Sequence, residues 1–263
     1  MNDISHQILD DMRQSSIGKV FLVGAGPGDP ELLTRKAYRL LQTADVLLHD
    51  ELVSPEILAL TSSGTTVISV GKRHGTKKIT QEEIHVLMIE HAKQGRIVVR
   101  LKGGDPMLFG RAAEELKALR EAGIQAEIVP GITAALAAAS SLQFSLTDRK
   151  VASHVTISTA HLSAENSPTG AKKQSTGTTH IFYMPGSSYR TLAENLLNEG
   201  ISQHEPCLVV SHVSLPTETS IRTTLEALLT LPSLAAPSLV ILGAVTEACI
   251  SKLHHCPSAN QQD

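Results

Sequence analysis

The sequence predicts an α/β protein of two domains, each around a mostly parallel sheet. Three observations carry that reading. Short runs rich in Val, Ile and Leu alternate with segments of helical spacing, and such alternation demands right-handed crossovers and parallel strands. The helical segments end on glycines, where a left-handed cap residue belongs. The pattern breaks once, at residues 130–133 (PGIT), before an alanine-rich helix. The 263 residues suffice for one large core or two smaller ones. Ligands commonly bind at domain interfaces, so the site is expected in a cleft between the two.

The elements follow in order. Residues 19–24 (KVFLVG) read as a buried strand, and 44–49, 66–71, 96–101 and 126–129 continue the set. DPELLTRKAYRLLQTA reads as one helix, with Asp29 as N-cap and Pro30 at the first helical position. Leu33, Ala37, Leu40, Leu41 and Ala44 then share a face. Residues 81–94 and 111–122 are similar, with Gly95 and Gly123 as their C′ glycines. In the second domain, 153–159, 179–184, 206–213 and 238–244 read as strands, and 219–224 is a further candidate. Residues 189–199 read as a helix closed by Gly200. Residues 161–178 are rich in Ser, Thr, Gly and Lys without any period, which predicts a surface loop.

Composition narrows the function. A net charge of −3 gives no global pull toward nucleic acid or membrane. There is no tryptophan, and 3% aromatics argue against a base-stacking platform. Cys207, Cys249 and Cys256 are too few and too scattered for a disulfide framework or a zinc site, which points to a reducing cytoplasm. The twelve histidines form no ligand set, so no metal is expected. Residues 1–17 lack the apolar core of a signal peptide, and no run reaches membrane-spanning length. Residues 1–17 and 254–263 are expected to be disordered extensions, leaving domains at 18–132 and 133–253.

The glycine turns carry the chemistry. GAGPGDP at residues 24–30 and GGDP at 103–106 each follow a strand. The first gives G-x-G-x-G and not the dinucleotide fingerprint G-x-G-x-x-G. Pro27 removes a backbone N–H that a phosphate cradle needs. Asp29 and Glu31 put negative charge at the helix start, where pyrophosphate would sit. Asp50, at the end of the next apolar run, stands where a ribose-binding acid falls in a Rossmann unit, and an ordinary tight turn explains GAGPGDP equally well. A cationic, phosphate-free nucleoside fits these turns better than NAD or ATP. S-adenosylmethionine is such a molecule. Asp105 can accept from its diol or ammonium, and Gly103 and Gly104 let the backbone approach closely. Thr133, at the start of the alanine-rich helix, marks a third turn.

Together these segments resemble the uroporphyrinogen-III C-methyltransferases of the tetrapyrrole methylase family. The likeness runs over residues 18–248 and rests on VGAGPGDPELLT, ADVLLHDELVS, VGKRHG, VVRLKGGDPMLFGR, IVPGITAA and FYMPG, in that order. It implies two α/β domains around five-stranded sheets, with the methyl donor bound in the cleft between them, and a homodimer. It also implies transfer of two methyl groups from S-adenosylmethionine to C2 and C7 of uroporphyrinogen III, giving precorrin-2. Pro27, Gly103, Gly104, Asp105, Leu108, Thr133, Ala134, Met184 and Val213 match donor-contacting positions. Asp50 and Lys72 match a proton acceptor and donor. Arg111, Glu114 and Arg149 match polar residues near the substrate.

Departures from the pattern are Ala112–Ala113 for a glycine pair, Val213 for a glycine, Asp148 before Arg149, and no tryptophan-bearing loop after His161. The bare residues leave second readings open: Asp50 as a cap or ribose contact, Lys72 as a carboxylate clamp, and Arg111–Glu114 as a solvated helix pair. Met184 reads equally as core. Two other functions stand beside the first. One is a sister methyltransferase for a later corrin precursor, and the other is a non-catalytic S-adenosylmethionine-binding protein.

Overall fold

The computed structural model describes residues 17–71, 79–160 and 177–249. The chain divides into two compact units between Thr133 and Ala134. Expectations placed on residues 1–16, 72–78, 161–176 and 250–263 lie outside the described residues. Lys72, Cys256, nearly all of the two extensions expected at residues 1–17 and 254–263, and most of the segment at 161–178 are among them.

The first unit holds β1 (Val20–Gly24), α1 (Arg35–Thr43), β2 (Val46–His49), α2 (Pro55–Leu58) and β3 (Thr66–Ser69). It continues with α3 (Gln81–Lys93), β4 (Val98–Lys102), α4 (Ala112–Glu121) and β5 (Ala126–Val129). Its sheet has the order β3-β2-β4-β1-β5, and every pairing is parallel. The inner strands β1 and β2 alternate their side chains between two apolar layers, and β4 adds Val99 and Leu101 to one and Val98 to the other. Phe21, Val23, Leu47, Val99 and Leu101 pack with Ala37, Leu40, Leu41 and Ile57 of α1 and α2. Val20, Leu22, Val46, Leu48 and Val98 pack with Ile84, Met88, Ala112 and Leu119 of α3 and α4. Leu119 is wholly buried in this second layer. Leu119→Ala is therefore expected to cost about 2–5 kcal/mol in a urea unfolding titration.

The caps explain where helices begin. Thr80 and Glu83 form a capping box at the start of α3, which satisfies two orphan amides reciprocally. Gly95 (φ +77°) and Gly123 (φ +70°) take the left-handed conformation that ends α3 and α4, as the sequence indicates. The segment at 29–44 differs from its sequence reading as one helix. Asp29 and Pro30 start only a 3-10 turn, Pro30–Leu32. Leu33 and Thr34 are extended, and Thr34 accepts from Ala37 N at 3.2 Å to begin α1 afresh. A threonine able to cap in mid-segment splits the helix, while Ala37, Leu40 and Leu41 keep the predicted buried face.

The second unit holds α5 (Ala134–Ser141), β6 (His154–Thr159), β7 (Thr178–Tyr183), α6 (Arg190–Asn198), β8 (Pro206–Ser211), β9 (Thr219–Thr224) and β10 (Ser238–Leu242). Its sheet has the order β6-β7-β10-β8-β9. Here the expected mostly parallel character gives way. β6 and β7 are parallel, but β10 runs antiparallel to both β7 and β8, and β8 antiparallel to β9. For β8 and β9 the cause is connection length. Residues 212–218 are too few for a crossover, which needs a dozen or more, so β8 and β9 close as a hairpin. One face of this sheet packs Phe182, Cys207, Val209, Val240 and Leu242 against Tyr189, Leu192 and Leu196. Cys207 and Cys249 are free and buried, and burial pushes the Cys207 thiol up beyond the range in which it ionises at neutral pH.

Candidate active site

The strand order brings the glycine turns together. β1 lies between β4 and β5, with Gly24 opposite Lys102 and Val23 opposite Val129. The turns after β1, β4 and β5 therefore leave the sheet side by side at its carboxyl end. Open α/β sheets bind ligands at such points. Gly26 and Gly104 exchange backbone bonds, N to O at 3.1 Å and 2.7 Å, and Ala25 N donates to Lys102 O at 2.8 Å. A Cβ at Gly24 would lie 2.5 Å from Gly131 N, and one at Gly131 would lie 2.2 Å from Gly104 O. The three turns thus touch through their backbones.

Asp105 ties this knot. Its Oδ1 accepts from Met107 N at 2.8 Å and its Oδ2 from Gly131 N at 3.0 Å. It caps its own turn and also staples the turn after β5. Pro27 and Leu108 are half-buried within the same two turns. Ser54 was not singled out from the sequence. It is buried, caps α2, and donates to Gly28 O at 2.7 Å, binding the β2–α2 connection to the first turn. A cap residue before Pro55 was the available signal.

This set suits a cationic nucleoside. It presents carbonyls, glycine faces and a carboxylate, with a proline in the first turn and acids at residues 29 and 31. Such a set repels phosphate, accepts from N–H or O–H groups and attracts the positive charge of a sulfonium.

Beside the turns lies a pocket of ≈ 470 Å³, lined among the described residues by Asp50, Gly71, Arg100, Lys102, Phe109 and Arg111. Asp50 is half-buried and forms an ion pair with Arg100 Nη2. It caps no helix, since α2 uses Ser54. Arg100 and Lys102 stand on the layer of β4 that Val98 opens, facing α3 and α4, and both are nearly inaccessible. They were missed from the sequence, where VVRLK reads as the end of an apolar run. Two cations spaced by two in a central strand were the signal. Burial lowers the Lys102 ammonium below its ordinary pKa, and the Arg100 charge adds to this, while Glu115 and Asp50 oppose it.

Arg111 sits one residue before α4 and not inside the helix as read from the sequence. Its φ of +56° is left-handed, and that geometry stops the helix from extending back. Its guanidinium bonds Glu114 in a two-point fork, Nε to Oε1 at 2.8 Å and Nη2 to Oε2 at 2.6 Å. Both side chains are exposed. The bond to Arg111 holds the Glu114 carboxyl below its usual range. Ala112 is buried in the α3–α4 layer while Ala113 is exposed, so the alanine pair extends helix and core together.

In the second unit, Met184 follows β7 with φ +52° and is 46% exposed, which removes the reading of it as ordinary core. Val213 is buried, and its neighbours His212 and Ser214 both have left-handed φ. Non-glycine residues in that region cluster at functional sites. Of the six such residues among those described, Phe109, Arg111, Met184, His212 and Ser214 fall on or beside predicted positions, and Gln143, just after α5, does not. Ala134 begins α5, and the next residue donates from its N to Tyr183 Oη at 2.9 Å. Thr133 is the last residue of the first unit. Arg149 is exposed in a turn bridged by Asp148 and Ala152. Asp148 accepts from Lys150 N at 2.7 Å and makes no ion pair with Arg149.

The fold and site define a two-sheet α/β protein with a phosphate-averse glycine cradle beside a charged pocket. The chain belongs to the tetrapyrrole (corrin/porphyrin) methylases, whose family pattern matches residues 19–229. A uroporphyrinogen-III C-methyltransferase of Pseudomonas aeruginosa is 42% identical over 238 residues, covering 89% of this chain and 97% of the relative. A siroheme synthase of Psychrobacter sp. is also 42% identical, over 95% of this chain but 52% of its own length. Among solved structures, the uroporphyrin-III C-methyl transferase of Thermus thermophilus complexed with S-adenyl homocysteine has a TM-score of 0.75. It is 40% identical, with 88% of this chain and 99% of that chain covered. The family read from the six motifs, and the donor it implies, are thereby met.

Proposed function

We propose that this chain is an S-adenosylmethionine-dependent C-methyltransferase that converts uroporphyrinogen III to precorrin-2 by methylating C2 and C7. The observation that carries the reading is the knot of three glycine turns at the carboxyl end of the first sheet, acidic and unsuited to phosphate, next to a pocket walled by Asp50, Arg100, Lys102 and Arg111.

When bound, S-adenosylmethionine supplies an electrophilic methyl group. The residues of the chain hold the partners and move the proton. Pro27, Gly103, Gly104, Asp105, Leu108 and Thr133 of the first unit hold the donor, and Ala134, Met184 and Val213 of the second unit match donor-contacting positions of the family. Arg111 meets a substrate carboxylate with its planar fork, oriented by Glu114, and Arg149 and Lys72 serve the same anionic substrate. A pyrrole carbon is electron-rich, so alignment with the methyl group does most of the work. The methylated carbon is fully substituted, so Asp50 accepts the proton from a carbon bridging to that ring. The electrons of that C–H bond return to the ring, which discharges the positive charge left by the attack.

The reading includes a homodimer acting in the cytoplasm, within sirohaem or cobalamin synthesis. Among the described residues no helix is long and apolar enough to cross a membrane.

A substrate panel tests it. Turnover is expected with uroporphyrinogen III under anaerobic conditions. Turnover confined to a later corrin precursor would make the chain a sister enzyme, and donor binding without turnover would make it a binding protein. Arg111→Ala is expected to raise KM for the tetrapyrrole and leave the Kd of S-adenosylhomocysteine unchanged. A loss confined to donor affinity would contradict its assignment.

A further inference from the structure

Glu115 has no part in the steps above, yet it is wholly buried on α4. Its Oε1 gathers three donors: Arg100 Nε at 3.2 Å, Lys102 Nζ at 2.9 Å and Gln81 Nε2 at 3.1 Å. Its Oε2 is buried with no partner among the described residues. A charge in such a place is a poor source of stability, because an apolar side chain of similar volume serves a core as well or better. What only the carboxylate does here is hold two cations of β4.

Arg100 is divided between two acids. Its Nε is held by Glu115 and its Nη2 by Asp50, while Nη1 reaches Leu48 O at 3.4 Å and Leu101 O at 3.3 Å. A guanidinium is a rigid plane, so anchoring Nε from behind fixes the direction of Nη2. That in turn fixes Asp50 Oδ1. No group among the described residues bonds Asp50 Oδ2, and the side chain lines the pocket at 32% exposure. Lys102 shares Glu115 Oε1 and balances its second neighbour's charge.

We propose that Glu115 is a positioning residue for methyl transfer: acting through Arg100, it holds the Asp50 carboxylate at the pocket wall with one oxygen tethered and the other open to the substrate. The proton passes from the substrate carbon to Asp50, and no bond to Glu115 forms or breaks. The inference rests on the methyltransferase reading and on Asp50 as its proton acceptor.

The test is steady-state kinetics of Lys102→Met/Glu115→Gln, which removes one charge of each sign at nearly constant volume. Rates are expressed per S-adenosylhomocysteine-binding site, so that unfolded protein does not count. We expect kcat to fall about tenfold or more, the scale of loss when the outer partners that orient metal-site ligands are mutated, with KM for the tetrapyrrole little changed. A wild-type kcat per site would overturn the proposal, and so would a loss confined to KM. Should the double variant fail to fold, Arg100→Lys decides. It keeps the charge and loses the fork, and the same fall in kcat at unchanged KM is expected, whereas a normal kcat overturns the proposal. Absence of turnover by the unmodified protein would instead overturn the function itself.

Discussion

Asp105→Ala is expected to abolish measurable donor binding, weakening S-adenosylhomocysteine at least about 100-fold, or roughly 2.7 kcal/mol. The carboxylate joins the turn after β4 to the turn after β5, through Met107 N and Gly131 N. Hydrogen bonds to a charged acceptor are each worth about 1.5–3 kcal/mol, so losing two lets both turns relax. Gly103, Gly104 and Thr133 lie on those turns and would move with them. Asp105→Asn keeps one acceptor oxygen and is expected to fall between wild type and alanine. Titration calorimetry decides, and unchanged affinity in the alanine variant would refute the role of this loop.

Gly131→Ala should be as damaging, for a steric reason. Its Cβ would lie 2.2 Å from Gly104 O and 2.8 Å from Gly24 Cα, with only backbone to yield. Overpacking of this kind costs about 1–3 kcal/mol and sometimes more, and here it is paid by displacing all three turns. Both the melting temperature and the donor titration are expected to fall. Gly64→Ala is the control, because a Cβ there meets nothing within 4 Å. A change within about 0.5 kcal/mol is expected at that position. Equal behaviour of the two variants would show that the turns do not meet as described.

The order of elements was legible because alternating runs and capping glycines are local signals. The runs at 19–24, 96–101 and 126–129 all became strands, within two residues of their ends. Which strands lie side by side was not legible. The contact of Gly24, Gly104 and Gly131 depends on β4 and β5 flanking β1, a non-local choice made by the packing of two apolar layers. The same limit hid the charge cluster. Arg100 and Lys102 are visible as cations in an apolar run, but their partner Glu115 lies on α4 and looks like one more helix acid beside Glu114. The two glutamates have opposite fates, one wholly buried and one exposed, because successive helix residues point about 100° apart.

The parallel reading of the second sheet failed where strand periodicity says nothing of direction, and the short link at 212–218 was the missed cue. The helix at 29–44 was misread because Thr34, a competent cap, stands amid residues of good helical spacing. Left-handed φ at Phe109, Arg111 and Met184 was also hidden, since none of these residues is a glycine. Their positions were instead supplied by the family motifs LKGGDPMLFGR and FYMPG.

The most direct test of the central claim is the mass of the tetrapyrrole after anaerobic incubation of the protein with uroporphyrinogen III and methyl-labelled S-adenosylmethionine. Two labelled methyl groups per product molecule are the predicted result. A tetrapyrrole recovered without label, from protein that binds S-adenosylhomocysteine, would contradict the assignment.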